Sequence, residues 1–121
     1  MSESGIKNRA AKKIKDSGRW CLRLGASQYL RAGVPDLLVH LLRPRGRACY
    51  LEFKVPGKKP TRLQEAVMEE IRKSGAVCEW VETVEEAMAV IHNAEDDFSN
   101  DHSIAQDDFG RMSMHDYPDE Y

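Results

Sequence analysis

Two apolar runs stand back to back near the middle of this chain, and together they leave few ways to fold. The first, DLLVHLL over 36–42, is almost wholly apolar, as in a strand covered on both faces. The second, ACYLEFKV over 48–55, follows a Pro44-Arg45-Gly46 turn, so the pair predicts a β-hairpin. The runs are broken by Asp36 at the start of the first and by Glu52 and Lys54 late in the second. Side chains alternate along a strand, so Glu52 and Lys54 point to one side and Phe53 to the other. In an antiparallel hairpin the start of one strand meets the end of the next. Asp36 is therefore expected at the same end of the sheet, where an unpaired buried charge would be costly.

The flanking segments complete the plan. Residues 2–17 predict a helix capped by Ser2 or Ser4, with Ile6, Ala10 or Ala11, and Ile14 on one face and Gly18 at its stop. Arg19 to Leu24 places Trp20, Leu22 and Leu24 at alternating positions, as in a strand, and 25–35 is a loop containing Gly33 and Pro35. After the hairpin comes a rigid basic loop, Pro56-Gly57-Lys58-Lys59-Pro60. Thr61 then caps a helix to about Ser74, with Leu63, Val67 and Ile71 as its buried stripe and Gly75 at its end. Val77 to Val81 is a strand, and Thr83 caps a last helix to about His92 that turns Val84, Ala87, Met88 and Ile91 inward. The order α-β-β-β-α-β-α implies an α/β fold, a central mixed β-sheet flanked by helices, because the helix-linked strand must cross over to return.

A chain of 121 residues suits one domain. Its net charge of −2 hides a split. Residues 1–91 hold seventeen Lys and Arg against eleven Asp and Glu, whereas 92–121 hold one Arg against nine acids. The domain is expected over 1–92, with 93–121 as an acidic, disordered tail. A basic body suits a polyanion, although a solvated charged surface would read the same. Cys21, Cys49 and Cys78 form no CxxC pair and sit in apolar stretches, as buried free thiols of a reducing cytoplasm do. No apolar stretch reaches the roughly 18 residues of a membrane span, and the first residues lack the apolar core of a secretory signal.

Two close carboxylates repel each other and are stabilised as a pair by holding a cation. Oxygen ligands suit Mg²⁺, which keeps several waters and takes one or two carboxylates. Such an ion can activate water and stabilise charge on a phosphate, while the Lys54 ammonium orients the water or neutralises developing charge. The Phe53 carbonyl, lying between, could complete the metal site. An ExK triplet by itself is also common as a solvated face or a surface ion pair worth about 0–1 kcal/mol. The preceding GVPD, the apolar strands and the following PGKKP loop raise the site reading.

Four segments carry a family resemblance: ESGI at 3–6, RAGVPDLLV at 31–39, YLEFKVPGKKPTRLQ at 50–64 and VETVEEA at 81–87. With them the chain resembles VRR-NUC domains, a branch of the PD-(D/E)xK nuclease superfamily, in the small stand-alone form found in phages and bacteria. The resemblance implies a restriction-endonuclease-like fold and a metal-dependent DNA endonuclease using Mg²⁺ or Mn²⁺. It implies Asp36 and Glu52 as metal ligands, Lys54 as the catalytic lysine, and Glu3 as an acid approaching the metal from the first helix. Gln64 would be a polar residue turned toward the site. Branched or junction DNA as substrate, and a homodimer, are implied in the same way. Cytoplasmic residence follows, in the host cytoplasm if the protein is viral.

Other readings stand beside these. Glu3 also suits a helix N-terminus as a favourable charge. Arg23, Arg31, Lys58, Lys59 and Arg62 are candidate DNA phosphate contacts or solvated loop charges. Trp20 and Trp80 fit a core better than a base-stacking platform, His40 fits a structural role, and His92, His102 and His115 show no ligand spacing. Two other functions remain: a catalytically silent nucleic-acid-binding module, and an interaction protein acting through the tail. The tail spaces Phe98, Ile104, Phe109, Met112, Met114, Tyr117 and Tyr121 among acids, and could bind a partner or lie over the basic groove.

Overall fold

The computed structural model describes residues 2–25 and 31–100, the last two by backbone alone. Its elements are α1 (Glu3–Asp16), β1 (Cys21–Arg23), β2 (Leu37–Leu42), β3 (Arg45–Phe53), α2 (Arg62–Lys73), β4 (Val77–Val81) and α3 (Val84–Asn100). They form one four-stranded sheet in the order β1-β2-β3-β4. The first three strands pair antiparallel, and β4 returns parallel to β3 after the α2 crossover. The mixed sheet and the α-β-β-β-α-β-α order agree with the sequence expectation. Among the described residues no helix is long and apolar enough to cross a membrane.

Register assigns the two sheet faces. Leu37, Val39 and Leu41 of β2 share a face with Cys49, Leu51 and Phe53 of β3 and with Val81 of β4. This face packs on Ile6, Ala10, Ala11 and Ile14 of α1 and on Ala87, Met88 and Ile91 of α3, forming the main core. The opposite face carries Leu22, Leu38, Tyr50, Glu52 and Cys78, and α2 lies against its β4 side. The three cysteines are free and buried, and burial pushes the Cys49 thiol to about 12 and the Cys78 thiol to about 11.

Three expectations change. Strand β2 is buried on one face only, its alternate residues Leu38 and His40 being half-buried, so its continuous apolar run does not mark a strand covered on both sides. In β1 it is Cys21 that enters the core. Trp20 and Leu22 turn to the open face, and the Trp20 ring rests on His40 with centroids 4.5 Å apart. In α2 the buried residues are Val67 and Met68, with Leu63 exposed and Ile71 half-buried, so only Val67 of the expected stripe is fully covered.

The last helix also differs. It runs past His92 to Asn100, so 93–100 continue α3 instead of opening a tail, and residues 101–121 lie outside the described residues. The cause is Glu95, whose side chain is 1% exposed. Its Oε1 accepts from Arg19 Nη2 at 2.6 Å, and its Oε2 accepts from Arg19 Nε at 3.0 Å and from the Leu42 amide at 2.7 Å. Leu42 sits at an irregularity in the β2–β3 ladder, where its amide requires another acceptor. A bidentate guanidinium–carboxylate pair thus ties α3 to β1 and β2.

Burial alone would raise the Glu95 carboxyl, but the bonds from Arg19 and the Leu42 amide outweigh it and hold it below its ordinary value. Removing one partner of a buried pair strands the other, at about 3–5 kcal/mol. Glu95→Ala is therefore expected to lower unfolding free energy in urea by about that amount. A lowered carboxyl stabilises the fold above its unfolded value of 4.5 and loses that contribution as pH falls through its folded value. The stability gap between wild type and Glu95→Gln should accordingly narrow in denaturation curves taken below about pH 4.5.

Candidate active site

The hairpin delivers two carboxylates to one end of the sheet's second face. Asp36 directly precedes β2, and its Oδ2 accepts from the Phe53 amide, the last of β3, at 2.8 Å. Its backbone carbonyl accepts from Leu24 at 2.8 Å, which fixes the strand start against β1. Glu52 is one residue short of the end of β3, and its side chain is 4% exposed. Its Oε2 accepts from Gln64 Nε2 at 3.0 Å and lies 3.4 Å from Lys54 Nζ. Lys54 leaves the strand with its amide bonded to the Val81 carbonyl at 2.9 Å, and its side chain is 12% exposed.

Gln64 reaches the site because of how α2 begins. Thr61 caps the helix by accepting from the Gln64 amide at 3.1 Å, and Gln64 Oε1 accepts from the Thr61 amide at 2.8 Å. This capping box satisfies two helix-end donors and leaves the Gln64 NH₂ facing Glu52. The Gly33 loop fixes the same helix from outside. A Cβ at Gly33 would stand 3.0 Å from side-chain atoms of Leu63 and Val67, and its φ of +88° suits glycine alone.

Burial pushes Glu52 up to about 7, the negative charge of Asp36 adds to the rise, Lys54 opposes it, and Glu3 adds a little more. Burial and a second carboxylate thus both favour the protonated acid at Glu52. Hard oxygens, mutual repulsion and a burial cost that a cation would offset make Asp36 and Glu52 a donor pair suited to Mg²⁺ or Mn²⁺. Among the described residues no three His, Cys, Asp or Glu side chains gather into a ligand set, while the charge of Glu3 acts on Glu52. Glu3 opens α1, where its charge also favours the helix N-terminus. Phe53 contributes its amide to Asp36 and buries its ring in the core.

Of the five basic residues singled out from sequence, Arg31 is engaged by Glu70 at 2.7 Å, while Arg23, Lys58, Lys59 and Arg62 are exposed. The basic loop is held at its base, where the Lys58 backbone amide donates to the Val55 carbonyl at 3.1 Å and the Gly57 amide donates to Glu82 Oε2 at 2.8 Å. One residue near the carboxylates escaped sequence reasoning. Lys7 Nζ lies 3.9 Å from Asp36 Oδ1. Its signal was its spacing: Lys7 follows Glu3 by one helical turn, on the same side of α1.

A folded-state value raised above the unfolded one means that folding favours the protonated acid. The metal-free fold therefore loses stability as pH rises from 4.5 through about 7. Glu52→Gln, measured without divalent ions, should raise the unfolding free energy by about 2–3 kcal/mol at pH 8 and change it little at pH 5. Equal effects at both pH values would contradict the buried-acid assignment.

Comparison with solved structures supplies the family. One match, described as "VRR_NUC domain", has a TM-score of 0.62 and 30% identity, with 74% of this chain and 94% of that chain covered. A second, "VRR_NUC domain protein", has a TM-score of 0.63 and 18% identity, with 76% and 86% covered, and likeness at that identity shows the fold. No family profile and no curated protein matches. The shared fold, spanning nearly the whole of a relative 30% identical, shows that this chain belongs to the VRR-NUC family of nuclease-like domains.

Proposed function

We propose that the protein is a divalent-metal-dependent endonuclease that hydrolyses DNA phosphodiester bonds. The observation that carries this reading is Glu52, buried at the same sheet end as Asp36 and 3.4 Å from the Lys54 ammonium. A structural carboxylate has no need of a second acid at its side, whereas a cation site does. Asp36 and Glu52 would hold Mg²⁺ or Mn²⁺, which supplies positive charge for water activation and for the phosphate. Gln64 keeps Glu52 oriented, and Lys54 is placed to orient the attacking water or to neutralise charge as it develops. The reaction joins water oxygen to phosphorus and breaks the bond to the leaving sugar oxygen. Lys58, Lys59, Arg62 and Arg23 are exposed cations for backbone phosphates, and Arg31 can join them by leaving Glu70.

The family resemblance supports branched or junction DNA as the substrate and a homodimer as the acting unit, with one site for each strand. Buried free thiols suit a reducing cytoplasm. Labelled duplex and four-way-junction DNA, incubated with Mg²⁺, Mn²⁺ or chelator, test the reading. Cleavage is expected only with metal, faster on the junction, and reduced about 100-fold or more by Lys54→Ala. DNA binding without cleavage under every metal and substrate would favour a silent binding module. The solution mass should be that of two chains at micromolar concentration, and a monomer there would exclude the dimer.

A further inference from the structure

We propose that Lys7 is a second cation of the active site, one that holds Asp36 until a divalent ion arrives and then takes an oxygen of the substrate phosphate. The inference rests on the metal-dependent reading above and adds to it a residue outside the ExK strand. Each carboxylate has its own ammonium: Lys54 lies 3.4 Å from Glu52, and Lys7 lies 3.9 Å from Asp36. The two Asp36 oxygens are divided. Oδ2 accepts from the Phe53 amide, which is part of the rigid sheet end, while Oδ1 faces Lys7.

The position of Lys7 is enforced. Its neighbour Ile6 and the residues Ala10, Ala11 and Ile14 are buried in the main core, so α1 cannot turn about its axis. The Lys7 side chain is 22% exposed, well withdrawn from solvent for a lysine on a helix surface. A cation drawn to Asp36 and Glu52 therefore competes with Lys7 for Oδ1. Once displaced, the ammonium remains on its fixed helix beside a site now carrying two more positive charges, and a phosphate oxygen is the nearest kind of anion that it can meet. A flexible four-carbon stem permits that exchange without movement of the backbone.

The exchange predicts opposite effects on two ligands. Mn²⁺ binding without DNA, read by titration calorimetry at pH 8, should be about fivefold tighter in Lys7→Met, because a competing cation is gone. DNA affinity in the presence of Mn²⁺, measured in a Lys54→Ala background so that the DNA stays intact, should fall about tenfold on adding Lys7→Met. The slope of log affinity against log salt should flatten by about one, and Lys7→Arg should restore the DNA affinity. A lysine that merely packs α1 would, when replaced, loosen both ligands together and lower the melting temperature. Unchanged or weaker Mn²⁺ binding in Lys7→Met overturns the proposal, as does tighter Mn²⁺ binding with unaltered DNA affinity. If the wild type binds no Mn²⁺, the metal-dependent reading fails and takes this one with it. If the wild type binds both ligands and Lys7→Met matches it, the role of Lys7 alone is lost.

Discussion

The antiparallel pairing of β2 with β3 brings Asp36 and Glu52 to the same end of the same sheet face, and two like charges at the edge of an apolar core must be compensated. Much of the surrounding structure does this. The Phe53 amide and Lys7 attend Asp36, and Gln64 and Lys54 attend Glu52. The compensation is incomplete, as the raised value of Glu52 records. A fold selected only for stability would place apolar residues there, since replacing buried ions by well-packed hydrophobes is often stabilising. The retained strain is what a cation would relieve.

The rest of the fold holds this end of the hairpin rigid. The main core grips one sheet face between α1 and α3, and the buried Arg19–Glu95 pair locks the far end of α3 to β1 and β2. On the other face α2 is fixed twice near its start, by its own capping box and by the close approach of Gly33 to Leu63 and Val67. Site groups therefore come from three separately anchored elements. Preorganisation of that kind keeps charged groups in place without reorganising them at the moment of reaction.

The sequence made the strand-borne carboxylates legible because the rule that governs them is local. Alternation along β3 sets Glu52 beside Lys54, and hairpin pairing supplies Asp36. The misreadings came where two local patterns competed. Trp20, Leu22 and Leu24 offered a convincing alternation, yet Cys21, smaller and less conspicuous, is the residue facing the core. In α2 the expected stripe of Leu63, Val67 and Ile71 holds only at Val67, and its neighbour Met68 takes the other buried place. The length of α3 could not be read locally at all, because 93–100 are polar and acidic. The helix persists for the sake of a guanidinium 76 positions away. Lys7 was almost as hidden: its one signal in ESGIKNR is the spacing of one turn from Glu3, which points to a site only when α1 is laid across the sheet.

The double duty of Gln64 has a consequence for where a proton can reside. Its carbonyl oxygen is committed to the Thr61 amide, so the side chain cannot flip to offer Glu52 an acceptor. Glu52 Oε2 thus faces only donors, the Gln64 NH₂ and the Lys54 ammonium. When Glu52 is protonated, the hydrogen must sit on Oε1. One helix cap therefore fixes the protonation geometry of a carboxyl group on a neighbouring strand, and leaves Oε1 as the oxygen that carries the proton.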